Sequence, residues 1–334
     1  MNNRSRAVRL AVYNHKGGVG KTTLTINLAY ALSRLGRKVL LVDSDPQCNL
    51  TSYLVDDEVV DSLLDDSDTA KGRTLWSGLK PVAQGIGSPR QIPTIETSGL
   101  HLLPGDIRIS EFESLLDSFW LDCATRRVRG YIGTSALSDL VNQTANLIDA
   151  DYVFYDAGPN IGPLNRIILL DCDHFIVPAA CDLFSVRALK TLGHTLRDWI
   201  SQWDHAKQFA PDGVTTLPGK PHFLGYVPQR FRVYGSSMSR GHSFYLGQLE
   251  KRVYSDIVEP LRKLDEALAE KSISASKIGE IRDFGVLVEE AQKQGVPLAR
   301  VRGGNAALKT NAESSFDQIA ERVEFKVNSL KMLA

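Results

Sequence analysis

The chain of 334 residues alternates runs of consecutive apolar residues with stretches of helical spacing. Residues 8–14, VRLAVYN, are apolar nearly throughout and read as a strand buried on both faces, the pattern of a parallel sheet. A glycine-rich loop follows, then helical spacing from about Thr22 to Leu35, stopped by Gly36. RKVLLVDSD reads as a second buried strand ending in two aspartates. Strand, glycine loop, helix, strand is one βαβ unit. Ligands of such units sit beyond the carboxyl ends of the strands, so the aspartates and the loop are delivered to one crevice.

Further along, Asp56 to Asp68 holds seven acidic residues and no Lys or Arg, which predicts a solvated, mobile segment. Residues 74–93, TLWSGLKPVAQGIGSPRQIP, are rich in Gly and Pro and read as loop. GLHLLPGD predicts a short strand, and helical spacing recurs over Ile107–Trp120 and Ser135–Ile148. DYVFYDAGPN is the next buried strand and again ends on a carboxylate, Asp156. DHFIVPAA and PHFLGYVP predict two more strands with a helix over Leu183–Trp203 between them. A surface loop, APDGVTTLPGKP, separates that helix from the second strand. Helical regions over Phe244–Glu270 and Ala306–Leu330 follow, and no internal repeat is visible. These elements predict an α/β fold, a largely parallel twisted sheet flanked by helices. We expect a single domain over 1–334, with insertions at about 56–130 and 205–245.

Composition narrows the partners little: 43% of residues are hydrophobic and 23% charged, with Lys plus Arg and Asp plus Glu both at 39. No global field favours nucleic acid or membrane, so such a contact needs a local patch. The four cysteines show no C-x-x-C pair and no metal-ligand spacing with the histidines, which suits reduced thiols in the cytosol. No run approaches the roughly 18 apolar residues that span a bilayer, and no leader pattern is present, so we expect a cytoplasmic protein.

The chemistry concentrates in NHKGGVGKTT, Asn14 to Thr23. A phosphate-binding loop of the form G-x-x-x-x-G-K-[ST] needs one lysine, and here Gly20-Lys21-Thr22 completes it. His15 occupies the first glycine's place, and Lys16 adds a cation at the front of the loop. Backbone N–H groups of Gly17, Gly18, Val19, Gly20 and Lys21, with a helix start behind them, make an anion cradle. Lys21 would reach the β- and γ-phosphates of a nucleotide and Thr22 would ligate Mg²⁺. Asp156 at a strand end can hold Mg²⁺ directly or through its water shell. Asp43 and Asp45 suit metal or water handling, the alternative being an ordinary strand-ending turn.

KGGVGKTT, LLVDSDPQCNLTSYL, YVFYDAGPN and FIVPAACDLFSVRAL, in this order over Leu10 to Leu189, resemble the ParA/MinD/Soj family of deviant Walker A P-loop ATPases. IGEIRDFGVLVEEAQKQGVPLARV is similar to the family's last strand region. The resemblance implies ATP and Mg²⁺ as cofactors, a nucleotide-binding set from Lys16 through Thr22 and Thr23, and an ATP-dependent homodimer. It implies that Lys16 crosses to the partner's nucleotide like an arginine finger. On the same grounds Asp45 positions the attacking water, Asp43 supports the Mg²⁺ shell, Asp156 is the Walker B carboxylate and Gly158 senses the γ-phosphate. Pro228 and Gln229 fall where the family contacts adenine, within GYVPQR rather than the usual asparagine- or methionine-containing version. Switch II reads DAGPN where many members have two prolines.

Many such proteins bind DNA without sequence preference, and we expect double-stranded DNA as a partner here. From Gly219 to Lys263 eight Lys or Arg face three acids, and Lys251, Arg252, Arg262 and Lys263 are the candidate DNA contacts. A ParB-like partner would stimulate hydrolysis, and nucleoid association would follow from DNA binding. ERVEFKVNSLKMLA reads as a packed last helix rather than a membrane-binding tail, so no stable membrane association is expected. Cysteines for a bridging iron–sulfur cluster are lacking, as is a C-terminal tyrosine cluster. The expected function is a slow ATPase and dimerisation switch for DNA partitioning or positioning. Its alternative is an ATP-dependent regulatory or adaptor module acting on a protein partner without DNA.

Overall fold

The computed structural model describes residues 6–231, 233–234, 237–238 and 240–333. In chain order the strands are β1 (Val8–Val12), β2 (Val39–Asp43), β3 (Ile95–Thr97), β4 (Leu100–Leu103), β5 (Tyr152–Asp156), β6 (His174–Ala180), β7 (His222–Phe231), β8 (Val233–Tyr234), β9 (Ser237–Met238) and β10 (Ile281–Arg282). The helices are α1 (Lys21–Arg34), α2 (Asn49–Leu54), α3 (Asp57–Asp65), α4 (Leu75–Ala83), α5 (Ile109–Ala124), α6 (Val128–Leu147), α7 (Pro163–Asp171), α8 (Leu183–Lys207), α9 (Arg240–Arg252), α10 (Glu259–Leu264), α11 (Ile273–Ser276), α12 (Val286–Lys293) and α13 (Ala306–Leu333). Eight strands form one sheet in the order β10-β7-β6-β1-β5-β2-β4-β3, and β8 pairs with β9 apart from it. Every pairing in the large sheet is parallel except β3 with β4.

The strands are apolar on both faces because each face carries a layer of helices. Leu10 and Val12 of β1, Val39 and Leu41 of β2 and Phe154 of β5 point to one core, shared with Leu24 and Leu28 of α1 and Phe316, Ile319 and Val323 of α13. Ala11, Leu40, Val42, Val153 and Tyr155 point to the other, against Phe112 of α5, Leu140 of α6 and Leu192 of α8. Arg9 is the exception within β1. Its side chain is buried and its terminal nitrogens donate to Asp171, Asn142, Ser138 Oγ at 2.8 Å and the Ser138 carbonyl at 3.2 Å. Tyr155 donates to the same Asp171 carboxylate at 2.6 Å.

Three sequence expectations change. Residues 74–93 are not all loop: α4 starts on Thr74, which forms a reciprocal capping box with Ser77 and buries Leu75, Trp76, Leu79 and Val82. Gly78 hid this helix from composition, yet a Cβ there would lie 2.6 Å from Leu140 Cδ2, so the glycine buys close packing on α6. The acidic stretch likewise holds α3, whose Asp57 and Glu58 sit in the first turn, where the helix dipole favours them, while Leu63 is buried. Helical spacing from Phe244 resolves into α9, a π-helical turn over Val253–Val258, and α10. Residues 56–130, expected as an insertion, contribute β3, β4, α3, α4 and α5. Of the other expected insertion, 205–245, residues 232, 235, 236 and 239 lie outside the described residues.

Candidate functional site

The carboxyl ends of β1, β2, β5 and β6 converge on one edge of the sheet. β1 runs into the glycine loop, whose Gly18 and Gly20 have φ of 70° and 81°, conformations side chains rarely adopt. Gly20 caps α1 with no side-chain bond to the first turn, so the leading N–H groups, those of Lys21, Thr22 and Thr23, remain available to an anion. Val19 is buried and pins the loop, and Gly17 lies against Pro159 of the loop after β5.

Asp43 and Asp156 end neighbouring strands in direct register. Asp156 accepts from Thr22 Oγ1 at 2.7 Å through one oxygen, and its other oxygen is buried without a hydrogen-bond partner among the described residues. Burial pushes Asp156 up to about 7, opposed by the Thr22 hydrogen bond and the Lys21 charge. Asp43 is also pushed up to about 7, by burial and then by the Asp156 charge. Asp43, however, is committed to the protein: it accepts from Thr51 N at 2.8 Å and Thr51 Oγ1 at 2.6 Å and so anchors α2. Lys21 is buried, and burial lowers its pKa against the pull of Asp156 and Asp45. Among the described residues its ammonium reaches only the Lys16 carbonyl, at 3.5 Å. A buried cation with so weak a partner is a site that wants an anion. Asp45 is buried, accepts from Gln47 N at 3.0 Å and faces Gly158, where a Cβ would lie 3.3 Å from Asp45 Oδ1. Asn165 Nδ2 donates to the Gly158 carbonyl at 3.0 Å, and Tyr13 Oη to the Asn160 carbonyl at 2.6 Å, bracing that loop.

Hard oxygen donors with few protein ligands suit Mg²⁺, which usually keeps several waters and substrate oxygens. The Thr22 hydroxyl and the orphaned Asp156 oxygen meet that description. Among the described residues no group of three or more His, Cys, Asp or Glu is placed to hold a metal by itself.

Lys16 points elsewhere. Its Nζ donates to Asp182 Oδ2 at 2.6 Å and to Ser185 Oγ at 3.0 Å, on the first turn of α8. Asp182 also caps α8, accepting from Ser185 N at 2.8 Å. These two residues escaped the sequence reading, although the D-x-x-S in CDLFS just before a helix is a capping signal. Gln229 of β7 lies over the loop: a Cβ on Gly20 would sit 2.2 Å from its Oε1, and its buried Nε2 has no partner among the described residues. Pro228 precedes it in register with Ala179 of β6.

The four basic candidates are not brought together. Arg252, 3.6 Å from Asp256, lines a groove with Arg187 and Lys190 of α8 and with Phe244. Lys251 precedes it on α9. Arg262 donates to the carbonyls of Glu266 and Ala269 at 2.9 and 2.8 Å and borders a cavity at the opposite end of the sheet. Lys263 pairs with Glu259 at 2.8 Å. Of the other cations in that basic stretch, Arg232 and the side chains of Arg230 and Arg240 lie outside the described residues. Among the described residues no helix is long and apolar enough to cross a membrane.

A family model described as an AAA domain matches residues 7–208. The chain is 29% identical over 194 residues to the sporulation initiation inhibitor protein Soj of Bacillus subtilis, covering 56% of this chain and 64% of that one. It is 30% identical to the chromosome partitioning protein ParA of Caulobacter vibrioides, over 56% of this chain and 61% of that one. The match thus spans less than two thirds of these relatives. Among solved structures, protein DIP2308 of Corynebacterium diphtheriae superposes with a TM-score of 0.70 at 22% identity, covering 96% of this chain and 98% of that one. A putative plasmid partition protein of Borrelia burgdorferi bound to AMPPNP gives 0.57 at 18% identity, covering 96% and 100%. At these identities the structural likeness speaks to the fold.

Proposed function

Because the chain belongs to the ParA/MinD family of P-loop ATPases, we propose that it is an ATP-driven dimerisation switch with slow hydrolysis. Its ATP dimer binds duplex DNA without sequence preference, to partition or position it, and a ParB-like protein stimulates hydrolysis. One observation carries this reading: the two lysines of the loop face different ways. Lys21 is buried under the loop with no carboxylate bonded to it, whereas Lys16 is tethered outward at the start of α8.

In this scheme the N–H groups of residues 17–23 and Lys21 hold the phosphates of the protomer's own ATP. The Thr22 hydroxyl and Asp156 would hold Mg²⁺, which when bound would supply neutralisation of phosphate charge. Asp45 orients the attacking water, and Gly158, backed by Asn165, registers the γ-phosphate. Asp43 serves from behind, as the anchor of α2. Pro228 and Gln229 flank the base. Lys16 leaves Asp182 to reach the partner's nucleotide, so that ATP binding and dimerisation are linked by mass action. The DNA patch is centred on Lys251 and Arg252 with Arg187 and Lys190, and Arg262, bonded to two carbonyls beside the cavity at the opposite end of the sheet, is left out of it with its neighbour Lys263.

The test is equilibrium binding to random duplex DNA with no nucleotide, ADP or ATP, at two salt concentrations, with Asp45→Ala run alongside to hold the ATP state. Binding that requires ATP and weakens with salt is expected. ATP dimers that ignore DNA would sink the partitioning reading and leave a switch acting on a protein partner.

A further inference from the structure

At the end of the sheet opposite the glycine loop, β6 and β7 begin side by side on His174 and His222, which are in register. The rings meet edge-on with centroids 5.8 Å apart, and both residues are only 8% exposed. His222 Nδ1 lies 2.6 Å from the Ala267 carbonyl, so its proton is assigned there and Nε2 is left as an acceptor. That Nε2 has no partner among the described residues, and neither has His174 Nδ1. Burial, with His222 beside it, pushes His174 down to about 3, and burial lowers His222 as well, so both rings are neutral near pH 7.

Both histidines line a cavity of about 590 Å³, within the range of small-molecule sites. Val8, Ala267, Ala269 and Leu330 supply apolar wall. Six charged residues border it, and five are matched. Arg6 lies 3.9 Å from Asp173, Arg262 lies 3.8 Å from Glu266, and Glu270 pairs with Lys326 at 2.7 Å. Lys331 alone has no ion-pair partner among the described residues, so the cavity presents one uncompensated positive charge beside largely apolar walls.

We propose that this cavity binds a small, mainly apolar molecule with one negative charge, an aryl or alkyl carboxylate or sulfonate, its anion on Lys331 and its body against the histidine rings and the apolar wall. The site is separate from the glycine loop and independent of the nucleotide reading. The test titrates the full chain with 8-anilinonaphthalene-1-sulfonate, followed by fluorescence, and with its uncharged relative N-phenyl-1-naphthylamine. Saturable binding of the sulfonate at one site is expected, weakened about tenfold by Lys331→Glu and abolished by Ala267→Trp, which puts a large ring on the cavity wall. The uncharged compound should bind more weakly and be indifferent to Lys331→Glu. Circular dichroism checks that each variant folds; if Ala267→Trp fails that check, Lys331→Glu, on an exposed position, decides alone. Sulfonate binding unchanged by Lys331→Glu, or matched in affinity by the uncharged compound, would overturn the proposal.

Discussion

The contact between Lys16 and Asp182 makes a quantitative demand on the dimerisation scheme. If Lys16 serves the partner's nucleotide, each protomer must first break its own ion pair, so the pair opposes assembly. Asp182→Asn isolates that opposition. Asparagine keeps an oxygen for the Ser185 N–H and so preserves the cap of α8, but it withdraws the charge that holds the ammonium. Asp182 itself bears the mark of the contact: burial works against its ionised form, yet Lys16 and the Ser185 N–H hold its pKa below the usual carboxylate value. The side chains are 26% and 41% exposed, so the pair is partly screened and contributes about 1 kcal/mol. Two protomers surrender it together, which totals about 2 kcal/mol, or roughly thirtyfold in the dimer dissociation constant.

The measurement is sedimentation or light scattering across a concentration series, with a slowly hydrolysed ATP analogue present. Asp182→Asn should dimerise at roughly thirtyfold lower concentration than the parent chain. Asp182→Ala, which also removes the cap, should show the same gain together with an unfolding free energy about 1 kcal/mol below that of Asp182→Asn. In the Lys16→Ala background, expected to stay monomeric, Asp182→Asn should not restore dimerisation, because no ammonium remains to be released. A dimer constant for Asp182→Asn within about threefold of the parent, under 0.7 kcal/mol, would refute the reasoning.

Lys21→Ala should abolish binding of a fluorescent ATP analogue, whereas Lys16→Ala should bind it normally and remain monomeric in light scattering; a normal ATP dimer from Lys16→Ala would end the trans-lysine account. Gln229→Leu deletes a buried amide whose Nε2 has no partner, so thermal unfolding should be unchanged or higher, while ATP affinity falls if the amide serves the base. Lower stability with unchanged ATP affinity would make Gln229 a purely structural residue. Arg9→Ala leaves the buried Asp171 carboxylate only the Tyr155 hydroxyl and the more exposed Arg6, 3.5 Å away, and should cost about 3 kcal/mol in denaturant unfolding; a loss under about 1 kcal/mol would show that the pair is dispensable.

Apolar runs made the sheet legible because strands buried on both faces leave little choice of residue: β1, β2 and β5 are buried at every position. The loop was legible for a related reason, since the left-handed backbone at residues 18 and 20 favours glycine. Helix α4 was not, because its Gly78 and Pro81 look like loop residues and its stability rests on a cap and on contact with α6, sixty residues away in sequence. Charge was the least legible property. Counting Lys and Arg between Gly219 and Lys263 suggested one surface, but α9 and α10 are separated by a π-helical turn, and Arg262 turns back onto the carbonyls of Glu266 and Ala269.

The distinction that matters most is between buried polar groups that close on the protein and those that do not. Arg9 is as deeply buried as Lys21 or more so, yet its terminal nitrogens all meet acceptors and it acts as a tie between β1, α6 and α7. Around the glycine loop the account stays open: Lys21 has one long contact to a carbonyl, Asp156 has a bare oxygen, and Gln229 has a bare amide nitrogen. Left open, each of these groups costs free energy that folding could have recovered by an apolar substitution. A ligand that brings phosphate oxygens to Lys21 and a cation to Asp156 recovers it instead, and only when bound. Lys16 completes the logic from outside, since Asp182 satisfies it in the monomer and would have to be replaced by something at least as anionic. On the proposed scheme a second copy's triphosphate would meet that condition, and the pair that holds Lys16 in the monomer would then set the threshold for assembly.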